Sequence, residues 1–216
     1  MFLGSVGEQL GLNRAELAIF RKLSTPEKVQ SFITTLKCNF EREGDTCFSV
    51  RTTLARGEAH CIEAAFVAAC ALMLHGRPAL LMDLTAEGDD DHVVALFREG
   101  LHWGAISKSN TVWLRWRDPI YRTLRELAMS YFHEYVKGPH KTLRSYSRSF
   151  DIGMVNPALW VTTEENCWET AAALDEIHHY PLISMRQARK LRLRDRMERR
   201  IGRMAEYVLP APSRSY

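Results

Sequence analysis

Residues 56–92, RGEAHCIEAAFVAACALMLHGRPALLMDLTAEGDDDH, decide how the chain is read. From Cys61 to Leu74 nearly every position is Ala, Val, Phe, Leu, Met or Cys, and a helix apolar all round is buried on all sides. Gly76 suits the left-handed position that ends a helix, and Pro78 prevents the helix from resuming. Ala79–Leu84 is an apolar run of strand length. Thr85–Asp91 is a polar loop with three consecutive aspartates, and His92–Phe97 is a second strand. This order brings one thiol, at the first turn of a buried helix, toward one imidazole that opens a strand.

Downstream, Arg98-Glu99-Gly100 reads as a tight turn and Leu101–Ser107 as a third strand, so 92–107 is a hairpin. Thr111–Arg117 alternates apolar with polar and reads as a fourth strand. A helix is expected from Pro119 to Tyr135, with Leu124, Leu127, Met129 and Phe132 on its apolar face. Residues 137–160 look irregular. Thr162 with Glu165 resembles a capping box, for a helix ending near His178–His179. Ser184 caps a last helix over about 185–207, followed by the frayed tail LPAPSRSY.

Upstream, Asn13 with Glu16 is another capping box, for a helix over Arg14–Leu23. Val29, Phe32, Ile33 and Leu36 mark a helix over Thr25–Lys37. Residues 1–12 read as loose, and a short extended piece is expected near 46–50. The division that follows is N-terminal helices over 1–37, a core over 38–136 and a helical extension over 137–216. The fold class is α+β.

The 216 residues are 46% hydrophobic and 25% charged, enough for one domain with elaborations and its own core. A net charge of +3 is too mild to imply nucleic acid by itself. The five cysteines, Cys38, Cys47, Cys61, Cys70 and Cys167, form no CxxC pair, which argues against a disulfide framework and a zinc site. No secretory leader or membrane-length apolar run is legible, so a cytoplasmic protein with reduced thiols and no membrane partner is expected.

A thiolate nucleophile needs a depressed pKa, which a helix N-terminus supplies through unpaired N–H groups and the helix dipole. Cys61 sits at such a position. Cys70, deep in the same helix, reads as a small core residue. A base must reach the sulfur, and His92 is the candidate. No cofactor is expected. His178-His179 lacks metal-pair spacing on a helix, and Asp89-Asp90-Asp91 reads as a solvated loop.

The whole order resembles the transglutaminase-like family, within the papain-like superfamily. There a cysteine opens a hydrophobic helix after a glycine, followed by G-x-P-A before a strand, a histidine before a hydrophobic strand, and G-x-W ahead of a triad aspartate. The corresponding residues are Gly57 and Cys61, Gly76-Arg77-Pro78-Ala79, His92-Val93-Val94, and Gly100 to Trp103, and the resemblance covers about residues 45–115. A bacterial group in this superfamily is similar also at GAISKSN (104–110) and RDPIYRTLRELAMSYF (117–132).

The resemblance implies a buried Cys-bearing helix against a small antiparallel sheet, and a cysteine peptidase, deamidase or acyltransferase acting at an amide or thioester carbonyl. The Cys61 N–H would form part of an oxyanion hole. The chain departs from the family where the triad aspartate belongs: Ser107 stands there. Asn110 is a substitute acceptor for His92. Asp83 could reach from the preceding strand, Asp91 should point to the opposite face, and charged Lys108 cannot accept. The segment 107–110 should lie at the cleft.

The rival expectation is a non-catalytic member that binds an acidic protein or nucleic acid through its basic C-terminal helix. That helix carries Arg186, Arg189, Lys190, Arg192, Arg194, Arg196, Arg199, Arg200 and Arg203.

Overall fold

A computed structural model describes residues 2–201 and 205–207. The chain is a mixture of helices with a mainly antiparallel sheet, an α+β arrangement. In order, the elements are α1 (Phe2–Gln9), α2 (Arg14–Phe20), α3 (Pro26–Thr35), β1 (Lys37–Cys38), α4 (Val50–Arg56), β2 (Glu58–Ala59), α5 (Cys61–Leu74), β3 (Leu80–Ala86), β4 (His92–Glu99), β5 (His102–Ile106), β6 (Arg117–Tyr121), α6 (Leu124–Met129), β7 (Val136–Lys137), β8 (His140–Lys141), β9 (Leu143–Ser147), β10 (Phe150–Asp151), α7 (Trp168–Asp175), β11 (His179–Pro181), α8 (Met185–Ala188) and α9 (Arg196–Ile201).

The main sheet runs β11-β9-β3-β4-β5-β6, with β10 paired to the first residues of β3. The β3–β4 hairpin sets Leu84 opposite His92, and β4–β5 sets Ala95 opposite Ile106. Both faces are covered. On one, Leu81, Val93, Ala95 and Phe97 pack on α5, itself buried from Ala64 to Leu72 and enclosed by α1, α3 and α4. On the other, Met82, Leu84, Val94 and Leu96 pack on Leu127, Tyr131 and Tyr135 of α6 and the turns after it. The period-2 alternation of strand side chains divides the two sets.

The buried helix and the hairpin match the expectation from residues 56–107. Several other elements differ. The N-terminal residues form α1, with Leu10 and Leu12 buried beyond it. The piece near 46–50 is an irregular loop that leads into α4, where the N-cap Ser49 Oγ accepts from Thr52 N at 3.2 Å. The expected helix at Thr162–Glu165 is absent, because that stretch stays open to complete α4. The carbonyls of Trp160 and Val161 accept from Val50 N and Arg51 N, and Ser49 Oγ donates to Thr163 O. Only from Trp168 does α7 begin.

The expected strand over Thr111–Arg117 holds a 3₁₀ turn at Val112–Leu114 and becomes strand only at Arg117, and the helix expected from Pro119 to Tyr135 is confined to Leu124–Met129, with 117–121 as strand before it. β6 is the sheet edge beside β5, and an edge strand tolerates Pro119 because it needs no second ladder bond. The segment 137–216, expected as a helical extension, contributes β9, β10 and β11 to the sheet. The last helix is broken at 189–195, where Arg194 N donates to Pro139 O and Lys141 Nζ to Arg192 O. Glu198 N then donates to Asp195 Oδ1, starting α9 afresh. Among the described residues no helix is long and apolar enough to cross a membrane.

Candidate active site

Cys61 is the first residue of α5, so its N–H lies outside the helical ladder and the positive end of the dipole points past its side chain. His60 is the N-cap, and His60 N donates to Glu63 Oε2 at 2.9 Å. Glu63 is wholly buried and accepts from three further donors in the loop before α4. These are Thr46 Oγ1 at 2.9 Å, Phe48 N at 2.9 Å and Asn39 Nδ2 at 3.1 Å. One carboxylate thus ties that loop to the start of α5 and fixes where Cys61 emerges.

His60 bends back over its neighbour. Its Nδ1 lies 3.9 Å from Cys61 Sγ, and its Nε2 meets Thr46 O at 2.9 Å and Glu63 Oε1 at 3.4 Å. Burial opposes charge on this ring. The hydrogen bond to the thiol, the negative charge of Cys61 and Glu63, and the Thr46 carbonyl outweigh it and hold His60 up at about 9. Burial alone would likewise raise the Cys61 thiol. Hydrogen bonding and charge from His60 and His92 reverse that and bring it down to about 5. Between these values Cys61 is a thiolate beside the His60 imidazolium.

Three other cysteines behave differently. Burial pushes Cys70 and Cys38 upward, and Cys47, also buried, is raised chiefly by Cys167. All five are free thiols.

His92 opens β4 and is buried. Its Nε2 faces Leu114 O at 3.1 Å and Ser107 Oγ at 3.2 Å, while Ser107 Oγ donates to the same Leu114 carbonyl at 2.8 Å. A carbonyl only accepts, and the Ser107 proton is already committed to it. Nε2 therefore carries a ring proton, and Nδ1 is the nitrogen left to exchange a proton within the cleft. The loop before His92 is tied down too: Tyr135 hydroxyl donates to Asp90 O, Thr142 Oγ1 to Asp89 Oδ2 at 2.7 Å, and Ala86 N to Asp91 Oδ1 at 2.8 Å. The aspartates expected as solvated are thus partly used in holding the loop, and Asp91 O lies 3.9 Å from Cys61 Sγ.

Of the four site residues expected from sequence, Cys61, His92 and Ser107 are brought together. Asn110 lies in the same cleft, but its amide is engaged by the backbone of Tyr207 rather than by His92. Asp83 is turned to His179, whose Nε2 lies 3.1 Å from Asp83 Oδ2. The acceptor missed by sequence reading is the Leu114 carbonyl, since a backbone group in a 3₁₀ turn leaves no side-chain signature. His60 and Glu63 were also missed, although the spacing H-x-x-E repeats the capping-box pattern with a histidine in place of Ser or Thr.

The cleft over these groups has a volume of about 720 Å³ and includes His60, Cys61, His92, Lys108 and Asn110 in its wall. Arg203 of the expected basic helix lies outside the described residues, and the rest of that surface is split between α8, α9 and the stretch joining them. Arg192 pairs with Glu198 at 2.6 Å, so part of its charge is internally offset. No family model matches the chain, and no curated protein matches it.

Proposed function

We propose that the protein is a cysteine-nucleophile enzyme of transglutaminase-like type, hydrolysing or transferring acyl groups at an amide or thioester carbonyl. The observation that carries this reading is the thiol of Cys61, held down to about 5 at the first turn of α5 and half-open to a cleft. A structural thiol inside a core is driven upward instead, as Cys70 is in the same helix.

In this reading the sulfur is already a thiolate, its proton resting on His92 Nδ1, and it attacks the carbonyl carbon. The carbon–oxygen π pair moves onto oxygen, facing the free N–H at the start of α5. Collapse of the tetrahedral intermediate expels the amine or thiol leaving group, which takes the proton from His92 and leaves a thioester on Cys61. Water or an acceptor amine then gives its proton to Nδ1 and releases the acyl group. Ser107 and the Leu114 carbonyl keep Nε2 protonated and the ring aimed, the part a triad carboxylate plays elsewhere. His60 stabilises the thiolate by charge.

The test is acylation by a p-nitrophenyl ester. The reading expects a burst of nitrophenolate and an acyl group mapped by mass spectrometry to Cys61, absent in Cys61→Ser and strongly slowed in His92→Ala. Acylation spread over several nucleophiles with no burst would overturn it.

A further inference from the structure

Residues 205–207 lie along the wall of the cleft that holds Cys61. Thr111 pairs antiparallel with Ala205, and Glu206 N donates to Asn110 O at 3.0 Å. The Asn110 side chain then takes both backbone groups of Tyr207: Nδ2 donates to Tyr207 O at 3.1 Å, and Tyr207 N donates to Oδ1 at 2.8 Å. A side-chain amide that reads both polar groups of one residue recognises extended backbone, whatever the side chain. Strand addition to a receptor edge works on the same principle.

The two side chains are recognised as well. Glu206 is paired with Arg115, and Lys108 Nζ lies 3.7 Å from its Oε2. Lys108 is 1% exposed, with its ammonium also donating to Leu36 O at 2.6 Å, so this cation is built into the wall. Two cations against one carboxylate favour an acidic ligand. The Tyr207 ring meets the Phe40 ring edge-on at 6.3 Å and lies 5.6 Å from Lys108 Nζ. The same short run, Ser107 to Thr111, orients His92 at one end and grips residues 205–207 at the other.

We propose that Lys108, Asn110 and Arg115 form a peptide subsite for an extended segment with an acidic residue followed by an aromatic one, and that the chain's own Glu206-Tyr207 occupies it as a competitor in cis. The assignment of this segment as the substrate class rests on the enzyme reading above; the subsite itself does not.

The test uses the full chain and a fluorescein-labelled peptide of residues 203–210, RMAEYVLP, followed by anisotropy. A tethered segment acts at roughly millimolar effective concentration, so against a peptide of roughly 100 µM affinity it suppresses binding about tenfold. The variant Glu206→Lys/Tyr207→Ala should therefore bind the peptide about tenfold more tightly than the unaltered chain. Adding Asn110→Ala or Arg115→Ala should remove that gain, and a peptide with lysine in place of its glutamate should not bind. Glu206→Gln, a smaller change, should give a partial gain and serves if the double variant melts early.

Equal binding by the unaltered and released chains, or binding indifferent to Asn110→Ala, overturns the subsite. Iodoacetamide reactivity of Cys61 in the same samples separates the two readings. Fast alkylation without peptide capture removes only the subsite. Peptide capture with an ordinary thiol removes only the enzyme.

Discussion

His60 Nδ1 and Cys61 Sγ are 3.9 Å apart, although neighbouring residues inside a helix point about 100° away from one another. The contact exists because His60 is not yet helical. As N-cap it has φ −97° and ψ −167°, and this extended conformation turns its ring back over the first residue of α5. The thiol is therefore set between two imidazoles, one from its own helix cap and one from the sheet.

Removing His60 takes away the largest single influence that lowers the thiol, its hydrogen bond, while the burial that raises it remains. In His60→Ala the midpoint of thiolate formation should move up from about 5 toward the ordinary cysteine range near 8.5. Ultraviolet thiolate absorbance followed against pH measures it. A midpoint unchanged by the substitution would assign the whole effect to His92 and the helix start.

Ser107→Ala removes one of two contacts to His92 Nε2 and leaves the Leu114 carbonyl at 3.1 Å. One hydrogen bond of about 1 kcal/mol corresponds to roughly a fivefold loss in acyl-enzyme formation. His92→Ala, which removes the base, should cost about 10²–10⁴-fold. Single-turnover rates with the nitrophenyl ester compare the two directly. A loss in Ser107→Ala as large as in His92→Ala would mean that the serine, not the carbonyl, holds the ring.

Glu63→Ala leaves the donors of Asn39, Thr46, Phe48 and His60 without their buried carboxylate. Breaking such a buried charged cluster from one side costs about 3 kcal/mol or more. At roughly 2–4 °C per kcal/mol for a chain of this size, Tm should fall by roughly 6–12 °C. Thermal unfolding by circular dichroism checks it. A drop no larger than that of a surface substitution would show that the loop and α5 are held together by other contacts.

The heart of the fold was legible because its signals are local and strong. The apolar run Ile62–Leu74 has no polar face to leave in water, and Gly76 with Pro78 ends it unambiguously. The edges were not legible, because long-range partners decide them. Thr162 and Glu165 carry a helix-start pattern. The carbonyls of Trp160 and Val161 and of Thr163 are instead engaged by Val50, Arg51 and Ser49, so that segment completes another helix. Arg117–Tyr121 joined a sheet edge that needed a partner, overriding the helix start read at Pro119. In the site, residue types announced Cys61 and His92, while Leu114 acts through its backbone and Asn110 through a contact 97 positions away, which no local pattern reports.

The central claim is a preformed thiolate at Cys61, and its alkylation rate by iodoacetamide at pH 6 tests it most directly. With a pKa of about 5 the group is mostly ionised at that pH, roughly 300-fold more than an ordinary thiol of pKa near 8.5. The weaker nucleophilicity of a low-pKa sulfur offsets roughly 40-fold of that, leaving an advantage of roughly tenfold. The expected result is alkylation of Cys61 about tenfold faster than a free cysteine peptide at pH 6, on a profile rising through pH 5. Alkylation no faster than the peptide, on a profile rising only above pH 8, would contradict it.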